Sequence, residues 1–290
     1  MIICVVGPTG VGKTKMSVAL AKKYNAIIVN CDATQVYKEL DIGSAKATKE
    51  EQEGIKHYLL DFKNLNESYT VYEYQKDARK IIENNKDKNI IFVGGTGLYL
   101  KAALYDYRFT EEDGNHIDYK DKTNEELYNI ALKKDPNMKI HINNRQRLIR
   151  FINKQNVDKV EPRPLYKHII IGLTTPRENL YRIINNRVDD MIKKGLIAEV
   201  KKFYDQDIKT KPLLSSIGYK ELYKYFNKEI TLEEAIELIK KNSRHYAKRQ
   251  YTFFNNQLDV NWFDVNYENF NETIEKVVKF IEVNYDIKSK

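Results

Sequence analysis

The sequence predicts an α/β fold: a parallel sheet flanked by helices, with a small inserted helical lobe and a helical C-terminal part. Three observations lead there. Short β-branched runs recur as IICVV at 2–6, AIIVN at 26–30, IIFV at 90–93 and HIIIGL at 168–173, with HYLLD at 57–61 a weaker fifth. Helix-like stretches separate most of them, and alternation of β and α gives parallel strands covered on both faces. The first run leads straight into GPTGVGKT at Gly7 to Thr14, which is G-x-x-x-x-G-K-[ST] with a strand before it and a helix after. The sheet is therefore expected to be P-loop NTPase-like.

After the first strand, Met16, Ala19 and Leu20 recur at helical spacing, and the helix is expected to run to Tyr24. Gly7, Pro8, Thr9, Gly10, Val11 and Gly12 would form a loop whose successive backbone N–H groups gather at that helix's N-terminus. Such a volume favours phosphate or pyrophosphate. Lys13 would sit on the outer phosphate oxygens, and the Thr14 hydroxyl would complete a Mg²⁺ shell.

The second strand ends at Asp32, in NCDATQVYKELDIGSAK. An acid at that point faces the loop across the strand ends, where parallel sheets gather their ligands. It can join Thr14 on the metal, or take a proton from an acceptor; capping the following turn is the plainer alternative. The strand at 90–93 ends in GGTG, where Thr96 offers a hydroxyl on a close-approach backbone. An ordinary P-loop hydrolase needs a Walker-B aspartate there, and no carboxylate is present. Asp61 is a poor substitute, and no guanine-reading N-K-x-D occurs.

Between Phe109 and Pro164 the strand signal vanishes. EEDGN, a Lys/Asp/Asn-rich run and polar helices read as an inserted lobe. The expected division is a core at 1–108, the lobe at 109–164, and the rest of the core with basic C-terminal helices at 165–290. Beyond 168–173 everything reads helical, at 177–204, 216–226, 231–255 and 268–284. The helix from Thr231 opens with a capping box to Glu234. Leu232, Ala235, Ile236, Ile239, Ser243, Tyr246 and Ala247 share one side, while Lys241, Arg244, His245 and Lys248 share the opposite one. A solvated cationic face is the ordinary reading. Here acids are absent from 240–249, as they are from 145–154, and aromatics border the helix, so nucleic-acid contact is the better one.

The formal charge is +8, from 49 Lys plus Arg against 41 Asp plus Glu, a mild lean towards a polyanionic partner. No apolar run is long enough to span a membrane, and no basic leader precedes the first strand. Cys4 and Cys31 lack metal-ligand spacing and read as buried thiols of a reducing compartment, so the cytoplasm is the expectation.

In order along the chain stand GPTGVGKT, CDATQVYKELDIGSAK, VGGTGLYLKA, RVDDMIKKGLIAEV, IGYKEL and RHYAKRQYTFF. Together they resemble the bacterial tRNA dimethylallyltransferases, also called tRNA isopentenyltransferases, over roughly 1–108 and 165–262. The resemblance implies transfer of a dimethylallyl group from dimethylallyl diphosphate to N6 of the adenosine beside the anticodon, position 37 of tRNA. The loop would then hold a diphosphate, which accounts for the missing Walker-B acid. Asp32 becomes the general base, with Lys13 and Mg²⁺ stabilising the leaving group. Arg187, within RVDDM, becomes a further diphosphate ligand, and Thr96 a contact to the target base. The resemblance also assigns Asp32, Ala33, Thr34 and Gln35 to the flipped adenosine. Gln146, Arg147, Arg150, Gly218 and Lys220 fall to the surrounding anticodon stem-loop, with Arg244 and Lys248 on the basic helix face.

Some positions depart from the family pattern. Ala33 stands where most members carry Ser, Phe253 replaces the common Trp, HINNRQRLIRFIN lacks the usual Pro after His, and the lobe is shorter. Two other classes fit the scaffold: an adenylate isopentenyltransferase or nucleotide kinase, and a non-catalytic RNA-binding relative. Monomer is the default expectation.

Overall fold

The computed structural model describes residues 1–109, 117, 119–153 and 162–285. The EEDGN run and Lys154 lie outside the described residues. The elements run β1 (Ile2–Val6), α1 (Lys13–Tyr24), β2 (Ala26–Asn30), α2 (Lys49–Gln52), β3 (His57–Tyr58), α3 (Val71–Glu83), β4 (Asn89–Val93), α4 (Gly97–Leu104), α5 (Asn124–Lys134) and α6 (Arg145–Asn153). They continue as β5 (His168–Thr174), α7 (Arg177–Lys193), α8 (Leu196–Asp205), α9 (Lys211–Ser215), α10 (Tyr219–Phe226), α11 (Leu232–Gln257), β6 (Asn261–Asp264) and α12 (Phe270–Tyr285).

All six strands are parallel, in the order β3-β2-β4-β1-β5-β6. Strand alternation divides the apolar side chains between two cores. Ile2, Cys4 and Val6 of β1 enter one, while Ile3 and Val5 enter the other. Both faces of β1 are buried, which is why its sequence is continuously apolar rather than alternating. Because β1 sits inside the sheet with β4 on one side and β5 on the other, its carboxyl end opens where the chain order reverses. That crevice is the place open α/β sheets leave for ligands.

Two compact units are formed. One comprises Met1–Tyr105 with Pro164–Lys290, and the other Asp106–Arg163. The smaller has its own core of Leu127, Ala131 and Leu148, where α5 and α6 meet. Arg145 ties this unit together by donating to the backbone oxygens of Tyr119 and Lys122, both at 2.6 Å.

Three readings need correction. The helix expected over 177–204 is two helices, because Gly195 at φ 101 reverses the backbone between α7 and α8. The helix expected from 216 begins only at Tyr219, after Gly218, whose backbone N–H is capped by Glu221 at 2.8 Å. The region after β5 also includes β6, a short strand whose polar ends Asn261 and Asp264 hide its pairing with β5. The helix from Thr231 does form with its capping box, and Thr48, Thr70 and Thr123 start α2, α3 and α5 in the same way.

A carboxylate at the base of α8 holds the DIGSAK segment in place. Glu199 accepts from the N–H groups of Ile42 at 2.8 Å and Gly43 at 3.2 Å, and from the Tyr219 hydroxyl at 2.5 Å. A side chain at Gly43 would start 2.4 Å from the Tyr219 ring, so three motifs of the sequence interlock here. At the other end of the segment the Gln35 amide donates to the carbonyls of Ser44 and Ala45, both at 3.1 Å. Glu199→Ala leaves three donors unmatched, which is expected to cost about 2 kcal/mol and lower the melting temperature by roughly 4–8 °C. Thermal unfolding followed by circular dichroism reads this directly, and an unchanged melting temperature would show that water replaces the carboxylate without loss.

Candidate active site at the carboxyl ends of the strands

Backbone constraint shapes the loop between β1 and α1. Gly7 has φ 140, and a Cβ there would lie 2.5 Å from the Leu173 carbonyl oxygen of β5. Gly12 has φ 85, and a Cβ there would meet the Phe270 ring at 2.5 Å. Only glycine satisfies both positions. The first turn of α1 contains no acid, so no side-chain carboxylate offsets the positive end of its dipole.

Lys13 folds back over this loop and donates to the Pro8 carbonyl at 2.7 Å. Its surface is half-buried, yet the ammonium itself lies deep. Desolvation is the main cause that lowers its pKa to about 7, the facing Arg187 guanidinium adds to this, and Asp32 opposes it. Arg187 projects from the third turn of α7, and its own pKa is lowered by burial against the pull of Asp32 and Glu51. Two desolvated cations thus share a site whose nearest acid is Asp32. No ion pair to Arg187 or Lys13 occurs among the described residues. An arrangement of this kind is completed by an anion.

Asp32 arrives from β2 and Thr96 from β4, brought together because backbone pairing continues past the strand ends. The Cys31 N–H donates to Val93 O at 2.7 Å and the Thr96 N–H to Cys31 O at 3.0 Å. Asp32 Oδ1 accepts from the backbone of Thr34 at 2.9 Å and of Gln35 at 3.4 Å. So the turn-capping role exists, and it occupies one oxygen. The other, Oδ2, faces Gly95. Thr96 Oγ1 accepts from the Ala33 N–H at 3.1 Å.

The remaining sequence-derived positions divide. Ala33 packs against the core. Gln35 spends its amide on the DIGSAK segment, so its side-chain nitrogen is committed there. Gly218 has its N–H committed to Glu221, and Lys220 lies 3.8 Å from the same carboxylate. Arg244 does not stand free on the helix surface, because it donates to Asn185 Oδ1 at 2.6 Å and lies over the Tyr181 ring. Lys240 is likewise matched by Asp189 and Glu237, so the acid-free stretch draws its acids partly from α7. Lys248 is exposed and borders a cleft of about 510 Å³ between the end of β5, α7 and α11. On α6, Leu148 points into the core of the smaller unit while Gln146, Arg147 and Arg150 are exposed.

Two residues escaped the sequence reading. Gln250 is buried and donates through Nε2 to the Gly95 carbonyl at 3.1 Å. Tyr246, placed on the apolar side of α11 and among its bordering aromatics, has its hydroxyl pKa pushed up by burial and by the nearby Asp32, which brings it to the same cleft. The available signal was a glutamine at the 3.6-residue spacing of the buried stripe formed by Ala247 and Phe254.

Fold and site together define the class: an α/β protein of the P-loop NTPase-like kind, with a glycine loop and two desolvated basic side chains beside a carboxylate. Residues 35–257 match the family model described as IPP transferase. The chain belongs to the IPP transferase family. It is 44% identical to the tRNA dimethylallyltransferase of Anoxybacillus flavithermus, over 99% of this chain and 98% of the relative. Against the Bacillus anthracis protein of the same name the identity is 41%, over 99% and 97%. Among solved structures it resembles the tRNA isopentenylpyrophosphate transferase of Bacillus halodurans, at 39% identity and TM-score 0.77, covering 97% of this chain and 95% of the other. A eukaryotic dimethylallyltransferase acting on tRNA aligns at TM-score 0.82 and 25% identity, covering 98% and 79%.

The lowered pKa of Lys13 sets a proton-linked outcome. At about pH 8 the free site holds Lys13 mainly neutral; an added anion raises its pKa, so binding takes up a proton. Below about pH 6 the lysine is already charged and uptake disappears. Calorimetry of diphosphate binding in buffers of different ionisation enthalpy should show this uptake in the wild type and lose it in Lys13→Met. Equal proton exchange in the two proteins would contradict the assignment.

Proposed function

We propose that this chain transfers the dimethylallyl group of dimethylallyl diphosphate to N6 of the adenosine beside the anticodon, position 37 of tRNA. The observation that carries this reading is the Lys13–Arg187 pair, two desolvated basic side chains that both feel the Asp32 carboxylate. The names and near-complete coverage of the relatives support the same reaction.

The amine of adenine is a weak nucleophile because its lone pair is delocalised into the ring. In the reaction N6 forms a bond to the allylic carbon, and the carbon–oxygen bond to diphosphate breaks with the electron pair leaving on oxygen. Asp32 Oδ2 receives the N6 proton, general-base assistance of about 10²–10⁴-fold. Positive charge develops on the allylic carbon and negative charge on the departing oxygen. Lys13, Arg187 and the N–H groups of residues 9–14 are fixed in advance where that negative charge accumulates.

A Mg²⁺ ion suits this donor set. Among the described residues no group of three or more His, Cys, Asp or Glu side chains could cage a metal. The ion would therefore rest on the Thr14 hydroxyl and Asp32 together with diphosphate oxygens and water, the environment Mg²⁺ prefers. Bound there, it would neutralise the leaving group.

To reach Asp32 the adenosine leaves its stack, at a cost of a few kcal/mol that is smallest in a single-stranded loop. The exposed cations Arg147, Arg150 and Lys248 supply sequence-independent contact to the anticodon stem-loop. Among the described residues no helix is long and apolar enough to cross a membrane. With two free buried thiols, a reducing cytoplasm holding tRNA is the setting we propose, and a single chain carries every group the mechanism uses.

Incubation with Mg²⁺, dimethylallyl diphosphate and unmodified tRNA, followed by mass spectrometry of digested nucleosides, tests the activity. Asp32→Asn keeps the turn cap and removes the base, so the rate is expected to fall about 10²–10⁴-fold with tRNA binding retained. Wild-type activity with no loss in Asp32→Asn would assign the proton to another group. Replacing Arg147 and Arg150 by Ala should raise the KM for tRNA and leave kcat unchanged. The salt dependence of binding should flatten by about one unit of slope for each phosphate that the variant no longer neutralises. Unchanged KM and salt slope would remove both residues from the interface.

A further inference from the structure

The last residue of β2 is polar in a strand that is otherwise apolar. Asn30 is 2% exposed, and its side chain is fully engaged at that strand end. Nδ2 donates to the Asp32 carbonyl at 3.1 Å and to the Leu59 carbonyl at 2.9 Å. Oδ1 accepts from the Asp32 N–H at 3.1 Å. A carbonyl accepts and a peptide N–H donates, so these partners fix which way the amide points. One side chain thus holds both backbone polar groups of Asp32.

The bond to Leu59 reaches into a segment that is itself tied down. Leu59 and Asp61 both sit at φ 56, in the left-handed region that bulky L residues rarely enter. Such conformations persist where the surrounding bonds over-determine them. Here Asn30 binds the Leu59 carbonyl, the Asp61 N–H donates to the Gln35 carbonyl at 3.0 Å, and Lys46 donates to Asp61 Oδ1 at 2.6 Å. On the other side of β2 the Tyr74 hydroxyl donates to the Asn30 carbonyl at 2.9 Å. Asp32 is therefore braced from its own strand. With its N–H and carbonyl on Asn30, and Oδ1 on the N–H groups of Thr34 and Gln35, the polar atom left over is Oδ2.

We infer that Asn30 is a positioning residue for proton removal, clamping the peptide groups of Asp32 so that Oδ2 meets the acceptor amine in one orientation. This rests on the activity proposed above. An amide gives two protons and takes one, which is what this spot requires. Aspartate would set acceptor oxygens against two carbonyls, and serine has one proton for the pair. Leucine, of similar size, would leave all three groups unmatched. Orientation matters to the rate because a base must come within hydrogen-bond reach of the proton it removes. A displacement of about 1 Å can cost on the order of 10²-fold.

Single-turnover prenylation of unmodified tRNA tests this in wild type, Asn30→Ala, Asp32→Asn and the double variant. Asn30→Ala should lower the rate about 10- to 100-fold, with the Kd for tRNA and for dimethylallyl diphosphate unchanged. In the Asp32→Asn background the same substitution should slow the reaction by less than about twofold, because the group it positions no longer takes the proton. A merely structural asparagine would slow both backgrounds alike, and equal slowing overturns the inference. So does an Asn30→Ala rate equal to that of wild type. Asn30→Ser retains at most one of the two donated bonds and takes the place of Asn30→Ala, under the same criteria, where the latter does not fold. One reading needs no variant: in wild type the Asn30 side-chain amide protons should exchange at least about tenfold more slowly than those of exposed asparagines, as followed by ¹⁵N NMR. Exchange at the exposed rate overturns the clamp. A wild-type protein that prenylates no RNA overturns the activity itself, a result distinct from product formed without coupling between Asn30 and Asp32.

Discussion

Desolvation of Lys13 and Arg187 is the constraint on which this site depends. Burial is the main cause that lowers the pKa of both, and the Arg187 guanidinium lowers that of Lys13 further. Nothing local would hold such a pair together. The sheet does it, by fixing the loop after β1 against the end of β5 and against α7. Leu173 presses on Gly7 and Ile183 lies against Gly10, so the loop is clamped by the elements that follow β5. An anion beside the two side chains would offset that desolvation cost, which the two apolar cores otherwise carry.

A second support is α11, which crosses the strand ends. Gln250 lies against Gly95 and Phe253 against Gly97, contacts that only glycine permits at such short range. On the β5 side the same helix meets Thr174, whose hydroxyl and that of Tyr251 are 2.6 Å apart. One rigid element therefore spans the groups after β4 and β5. Its inward face carries two polar residues for which a purely structural helix would use apolar ones.

Much of this was legible in the sequence, and what was not has physical reasons. β1, β2, β4 and β5 announce themselves because strands buried on both faces must be continuously apolar. Asp32 and Thr96 were accessible because they follow such strands directly. β6 was hidden, since NWFD has polar ends and no alternation. The breaks at Gly195 and Gly218 lie inside helical periodicity and show only through backbone sign. Arg244 and Lys240 looked like free cations because a helical wheel cannot see Asn185 and Asp189 on α7, which satisfy them. Tyr246 fell on an apolar stripe, and the influence of Asp32 on its hydroxyl shows only once α11 is laid across the strand ends. Long-range partners, rather than local pattern, decided each of these.

The economy of the site follows from counting valences. Asp32 gives one oxygen to the turn after β2, and its other oxygen faces Gly95. Thr96 accepts from the Ala33 N–H, so each strand end holds a side chain of the other. From α11, Gln250 donates to the Gly95 carbonyl and fixes the backbone next to Thr96. Rigidity comes from these bonds, because a side chain with spare valence could rotate. The capped turn at Asp32 and the glutamine of α11 are in this sense one device, approached from opposite sides of Gly95.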